Sequence, residues 1–415
     1  MNIFFYDRLK VGQLITISTH KYELISNLSK LGYNVVLLNS DYPKKVGEII
    51  CSNPPSLGKG ISSKLLSSGI VRRFRGEIGI LWSLGRDVSF FLSAFILIIS
   101  KKRNIDVIYR RHSLFNSDYF LAKLFRLPLV KEVNGIESDN ARITGFTDRF
   151  SLQIIERIER FNMPRADKII VVTPKLKETL QKDYGVPGDK IVVIPNGANT
   201  ELFKPMDTKQ ARRQVKLAQA GHLVVFVGDL VVWDGVDYLI RSIPYVVEEV
   251  PEARFLIVGD GMMRQELVKL AGQVGVSDKI IFTGMVPYRD VPLYINASDI
   301  CVAPFAANRD EKVGLSPLKM YEYMACGKPV VASRISGLEM LEDSGAGILV
   351  EPESPLALAQ TILRLLQNKE LNQQMGRSGR KYVVENRSWA SVARKVAEVS
   401  EQTCGTKMTR GEMAN

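Results

Sequence analysis

The chain has 415 residues, 46% hydrophobic and 24% charged, a balance that excludes a disordered or fibrous protein. The length exceeds one ordinary core and fits two domains of about 200 residues. The formal charge of +12 is uneven: residues 1–204 hold 31 Lys+Arg against 19 Asp+Glu, and residues 205–415 hold 25 of each. In chain order, short Val- and Ile-rich runs alternate with stretches of helical period. The first half offers strands at Ile3–Tyr6, Val35–Leu38, Val107–Tyr109, Leu129–Glu132, Ile169–Thr173 and Ile191–Ile194. A helix with Leu24, Leu28 and Leu31 on one face, ended by Gly32, joins the first two. The second half offers Val224–Val227, Phe255–Val258, Ile280–Thr283, Ile300–Ala303, Val330–Ala332 and Ile348–Val350. Apolar runs without polar alternation read as strands covered on both faces of a parallel sheet, so the expected class is α/β, doubly wound, twice.

The first sheet closes at Ile194, and Pro195-Asn196-Gly197 is a turn signal. The expected domains are 1–204 and 205–390, followed by a helix from about Ser391 to Ser400 and a frayed tail within 391–415. Two such domains imply ligands beyond the carboxyl ends of facing strands, which favours a two-substrate enzyme. Cys51, Cys301, Cys326 and Cys404 are scattered without a C-x-x-C pair, which fits a reducing compartment. The start, MNIFFYDRLK, lacks the pattern of a secretory leader. Phe90–Ile99, the most apolar stretch, is too short to span a bilayer and reads as an inward-facing helix, with dipping into a membrane interface as the alternative. The expectation is a soluble or peripheral cytoplasmic protein.

The stretch GLSPLKMYEYMACGKPVV, Gly314 to Val331, carries most of the chemistry. Ser316 reads as an N-cap, Pro317 as N1, Gly327 as the C′ stop, and a helix of about ten residues lies between. Such an N-terminus suits a phosphate. Lys319 is unfavourable there for the helix itself, which suggests an anion nearby. Glu322, three residues on and hence on the same face, has the reach to accept both hydroxyls of a ribose. A surface Lys–Glu pair on a core helix is an equal reading from residues alone.

EYMACGKPVVAS resembles the family 4 (group 1) retaining glycosyltransferases, which have the GT-B fold. VVFVGDL, WDGVDYLIRSI, FLIVGDGMMRQEL, IIFTGMVPYRDVPLYINASDICVAP and SGLEMLEDSGAGILVEPESPLALAQTILRLL follow in that family's order, and VIPNGANTELFKP resembles the segment closing its N-domain. The first 120 residues match only in rhythm and loosely in IDVIYRR. The resemblance implies a nucleotide-sugar donor in the C-domain, an acceptor in the N-domain, and no metal or other cofactor. It implies a base held by backbone at Gly284, Met285 and Val286, the ribose by Glu322, and the pyrophosphate by N–H groups of Leu315 and Ser316 beside the Gly228 turn. Trp233 would cap sugar or base; Gly12 and Arg110 would serve the N-domain phosphate loop.

Several positions depart from that pattern. The first of two glutamates eight apart falls on Gly314, with Arg309, Asp310, Glu311 and Lys312 nearby. An Arg and a Lys expected around the glycine turn are Asp229 and Asp234, which would repel a diphosphate unless a cation such as Lys319 offsets them. The His after the fourth strand is Asn134, taken as a hydrogen-bond donor to a sugar hydroxyl. His112, after Arg110-Arg111, is a further candidate; with Lys319 and Asn134 it completes the catalytic set. The expected reaction moves a sugar from a nucleotide diphosphate to an acceptor hydroxyl with retention, in cell-surface polysaccharide or glycolipid assembly. The alternatives are a catalytically degenerate binder or scaffold and a sugar-nucleotide epimerase. Gly259-Asp260-Gly261 is an incomplete dinucleotide fingerprint, and no nucleic-acid module accompanies the basic clusters Arg72-Arg73-Arg75, Lys101-Lys102-Arg103 and Arg110-Arg111. An anionic inner membrane face and a lipid-linked or saccharide acceptor explain the asymmetry better.

Overall fold

The computed structural model describes residues 1–5, 15–37, 50–51, 75–100, 105–144, 148–307 and 312–412. Gly12, Arg72, Arg73, Lys101, Lys102, Arg103, Arg309, Asp310 and Glu311 lie outside them. The chain forms two compact units, Met1–Ile194 with Ala393–Asn415, and Pro195–Val392.

The first unit is built on β1 (Asn2–Phe5), β2 (Asn34–Leu37), β3 (Ile50–Cys51), β4 (Val107–Arg111), β5 (Leu129–Val133), β6 (Lys168–Val171) and β7 (Ile191–Val193). Their order is β3-β2-β1-β4-β5-β6-β7, every pair parallel. The second unit holds β8 (Leu223–Val227), β9 (Arg254–Val258), β10 (Ile280–Gly284), β11 (Ile300–Ala303), β12 (Val330–Ser333) and β13 (Gly347–Val350). They run β10-β9-β8-β11-β12-β13, again parallel. All twelve expected strands are present to within a residue or two. The added strand is β3, two residues at a sheet edge, too short to carry a periodic signal. In each sheet the winding reverses beside one strand, between β1 and β4 and between β8 and β11, and the carboxyl ends there are where such sheets bind ligands.

The second unit opens at Pro195 rather than after residue 204. Ala198 bridges to Ser388, and Phe203 is fully buried in the second unit's core. At the other end the expected frayed tail is helical: one helix runs Trp389–Glu412. Its later part joins the first unit because Val396, Val399, Ser400 and Thr403 are buried. The Cys404 thiol approaches the Asp106 carbonyl at 3.4 Å, and the Tyr33 hydroxyl donates to Glu401 at 2.8 Å.

The apolar Phe90–Ile99 stretch belongs to a longer helix, Arg75–Ser100, and does not simply face inward. Ser93, Ala94 and Leu97 are buried, but Leu84, Val88, Leu92, Ile96 and Ile99 are 41 to 55% exposed. Steps of four and three residues place those five along the face opposite the core. Phe120 and Leu124 of the neighbouring helix Ser117–Leu124 are exposed as well. Among the described residues no helix is long and apolar enough to cross a membrane.

Candidate functional site

In the second unit three glycines let strand ends approach one another. Gly228 follows β8, and its N–H donates to the Val258 carbonyl at 3.0 Å. Gly259 has φ +133, and a Cβ there would lie 1.9 Å from the Gly228 carbonyl oxygen; this glycine marks a close backbone approach, not a dinucleotide fingerprint. Gly235 has φ +64, and a Cβ there would lie 1.8 Å from the Pro304 carbonyl oxygen. The short turn Val232–Asp234 before it thus delivers Asp234 next to the segment following β11.

Lys319 comes to the same point from the helix Leu318–Ala325. Its Nζ donates to Asp234 Oδ1 at 3.0 Å and lies 4.5 Å from the Phe226 ring centre and 5.0 Å from that of Phe305. A Cβ on Gly228 would lie 2.5 Å from that Nζ. An ammonium held between aromatic faces and one carboxylate therefore occupies the reversal point of the sheet. The two aspartates divide: Asp234 is buried against Lys319, whereas Asp229 is exposed. Partial desolvation and the Asp234 charge hold the Asp229 carboxyl above its usual range, against the pull of Lys319.

One turn further, buried Glu322 accepts a hydrogen bond from the Tyr288 hydroxyl at 2.9 Å. Tyr323 accepts from the Val227 N–H at 2.8 Å, pinning the helix to the end of β8. The helix ends as expected, in a Schellman motif: Gly327 (φ +70) donates to the Met324 carbonyl and Lys328 to that of Tyr323. Its start differs. The helix is eight residues long, Pro317 is the cap, and no side chain caps it. Ser316 Oγ instead accepts from the Asn196 N–H at 3.0 Å and shares a hydrogen bond with the Tyr321 hydroxyl at 3.0 Å. The Leu315 N–H donates to the Ser336 carbonyl at 2.7 Å, so it does not serve a pyrophosphate as expected. Gly314 has φ +68, a left-handed conformation that favours glycine.

The base-side expectation is narrowed as well. The Gly284 carbonyl already accepts from the Gly259 N–H and the Thr283 hydroxyl, while Met285 is exposed and Val286 packs against the core. Arg264 is an added cation there, its Nη1 3.0 Å from where a Gly284 Cβ would lie. The Trp233 carbonyl accepts from the Ala306 N–H at 3.1 Å, and its side chain is half-buried.

In the first unit, strand alternation sorts the polar residues of β4 and β5 onto two faces. Arg111 pairs in register with Glu132, and Arg110 with Lys131. On one face Arg110 is buried and consumed: it donates to Ser117 at 2.8 Å and to Asp87 at 2.5 Å, with Asp118 at 3.5 Å. Lys131 lies 3.3 Å from Asp118 and donates to Asn116. Arg110 is thus a structural cation and not a phosphate ligand. His112 follows on this face, 3% exposed and 3.8 Å from Glu159. Glu159 accepts the Glu137 and Ser138 N–H groups that open the helix Glu137–Thr144. The His112 ring thus sits against Glu159, with neither ring nitrogen hydrogen-bonded among the described residues.

On the opposite face Glu132 is the hub. Tyr109 donates to its Oε2 at 2.6 Å, Asn134 Nδ2 to its Oε1 at 2.7 Å, and His20 Nε2 lies 3.3 Å from Oε1. Asn134 therefore commits one of its two amide hydrogens to Glu132. Arg111 is half-buried and makes no side-chain hydrogen bond or ion pair among the described residues. The hub was not foreseen; the period-two reading of IYRRH and VKEVN would have separated the two faces but not found His20.

Two doubly wound parallel-sheet units, with a Lys–Glu helix at the sheet reversal of the second, define the GT-B class. Sucrose-phosphate synthase from Thermosynechococcus elongatus shares the fold (TM-score 0.73, 19% identity, 98% of this chain and 99% of that one). So do Anabaena HepE in complex with UDP (0.67, 18%, 97% and 100%) and WaaG, a glycosyltransferase of lipopolysaccharide biosynthesis (0.67, 17%, 96% and 99%). The family model "Glycosyltransferase Family 4" matches residues 17–202, and "Glycosyl transferases group 1" matches 221–368. The chain belongs to the family 4, group 1 glycosyltransferases. It is similar to the glycosyltransferase MJ1607 of Methanocaldococcus jannaschii (29% identity over 67% of this chain and 70% of the relative). It is also similar to a D-inositol 3-phosphate glycosyltransferase of Corynebacterium diphtheriae (28%, 70% of each) and to the alpha-D-kanosaminyltransferase of Streptomyces kanamyceticus (25%, 62% and 66%).

Proposed function

We propose that the protein transfers a sugar from a nucleotide diphosphate sugar to an acceptor hydroxyl with retention and without a metal. The acceptor is a saccharide or lipid-linked molecule of cell-surface assembly on the cytoplasmic membrane face. The observation that carries the donor reading is the Lys319 ammonium set at the Gly228 turn, one helical turn from Glu322. A departing diphosphate needs a preorganised cation, and Lys319 supplies one in a desolvated setting. Glu322, held by Tyr288, is the ribose ligand in this reading. HepE, a fold neighbour, has been seen with UDP and with UDP-glucose, which supports a nucleoside diphosphate here.

The test is a thermal-shift panel of UDP, GDP, ADP and CMP, followed by hydrolysis of the sugar donor of the best binder with and without EDTA. One nucleoside diphosphate is expected to stabilise the protein, and its donor to turn over equally in both conditions. Binding without turnover would instead identify a degenerate nucleotide-sugar binder, and loss of turnover in EDTA would sink metal independence.

The membrane reading rests on charge and on the apolar stripe. Among described residues the exposed charges on the helices Ser117–Leu124 and Arg149–Asn162, both packed against Arg75–Ser100, are all basic: Lys123, Arg149, Arg157 and Arg160. Exposed aliphatics on one helix with exposed cations on its neighbours fit an anionic interface, at about 1 kcal/mol per basic residue near the lipid. The full-length protein is expected to sediment with anionic liposomes at low salt and less at high salt. The double variant Leu92→Glu with Ile96→Glu should stay in the supernatant; equal sedimentation of wild type and variant would exclude this face.

A further inference from the structure

The Glu132 hub has a consequence for the chemistry of its neighbour. We propose that Glu132 is a positioning residue for sugar transfer: it fixes the Asn134 side-chain amide so that its carbonyl oxygen meets a hydroxyl of the bound sugar or acceptor. A carboxylate only accepts hydrogen bonds, so the 2.7 Å contact between Asn134 and Glu132 Oε1 is made by the amide nitrogen. That fixes a side chain whose two ends are otherwise nearly isosteric. Glu132 is itself immobilised, with Tyr109 on Oε2 and His20 beside Oε1. Tyr109 is fully buried and stacks on Phe5, with ring centres 4.9 Å apart.

Burial alone would raise the Glu132 carboxyl. The His20 and Arg111 charges and the Tyr109 and Asn134 hydrogen bonds outweigh it and hold the group below its usual range. The acceptor state is thus maintained. Asn134 Oδ1 is left buried, with no hydrogen-bond partner among the described residues. A buried acceptor without a partner is costly and rare, and here it stands just past the carboxyl end of β5, where parallel sheets bind ligands. The ligand chemistry it takes is a hydroxyl hydrogen.

The inference rests on the transfer reading above, and its test separates the two. Wild type, Glu132→Gln, Asn134→Ala and the double variant are assayed with UDP-glucose and with the donor selected by the nucleotide panel. Each single variant is expected to lose about tenfold in kcat with little change in donor KM, and the double to be no slower than Asn134→Ala. Effects that multiply, or an Asn134→Ala variant at the wild-type rate, would overturn the proposal. A loss already present in donor hydrolysis assigns the hydroxyl to the donor sugar; a loss confined to transfer assigns it to the acceptor.

Asn134→His and Asn134→Asp keep the test open should Glu132→Gln fail to fold. An imidazole can donate one ring N–H to Glu132 and keep the other nitrogen as acceptor, so it should retain most activity, whereas Asp cannot donate. Equal losses in both would count against positioning. If wild type turns over no donor, the transfer reading fails on its own. The amide is then read by NMR of protein labelled with 15N-asparagine: the NH2 pair that disappears in Asn134→Ala should shift in Glu132→Gln. An unchanged pair would overturn the positioning role.

Discussion

Replacement of Lys319 by Ala is expected to lower donor turnover by about two to three orders of magnitude, the usual loss when one preorganised charge at a developing anion is removed. The effect has two parts that reinforce each other. The departing diphosphate loses its cation, and Asp234 loses its only ion-pair partner among the described residues. Two carboxylates, Asp229 and Asp234, then face an incoming dianion without compensation. Lys319→Met keeps the packing between Phe226 and Phe305 and separates shape from charge. If Met restores turnover, Lys319 is a packing residue and the donor assignment falls. Asp234→Asn is the converse change: it frees the ammonium while leaving the turn intact, and should lower the donor KM. Steady-state kinetics of the three variants at fixed ionic strength decide the matter.

Lys131→Met should be the most damaging single change to stability. The side chain is 2% exposed, and Asp118 opposite it is fully buried. Breaking one side of a buried pair costs about 3–5 kcal/mol, here toward the low end because Arg110 stays 3.5 Å from Asp118, on the order of 10 °C in the first unit's melting temperature. The pH dependence is distinctive. In the wild type, burial would raise Asp118, but Lys131 and Arg110 hold it below its usual range. Its stabilisation is therefore complete above the ordinary carboxylate pKa and fades as pH falls through the lowered folded value. Without Lys131 the folded pKa rises, and protonation relieves the buried charge. The gap between variant and wild type should thus narrow on acidification. Calorimetry at several pH values checks this, and a pH-independent gap would show that packing, not charge, sets the loss.

The two sheets were readable because buried parallel strands are written as uninterrupted Val and Ile runs, and glycine and proline mark their ends. The helix carrying Lys319 and Glu322 was readable for the same local reason at its C-terminus, where Gly327 takes a left-handed conformation. Its N-terminus was misread because Ser316 had a competing partner 120 residues earlier, Asn196, which no local rule can show. The Arg110-Arg111 pair illustrates the same boundary. Alternation says the two point to opposite faces, but only the fold shows Asp87, Asp118 and Ser117 waiting on one of them. The exposed stripe on Arg75–Ser100 was hidden because apolar content reports hydrophobicity, not which side meets the core.

The chain passes between its units twice, after Ile194 and again within the helix Trp389–Glu412. On the ribosome, the first unit therefore waits for its closing helix until the whole second unit has emerged. The grooves that receive Val396, Val399 and Thr403 stay open to water throughout that interval, during which the second unit can finish folding. Of the two units, the one begun first is completed last.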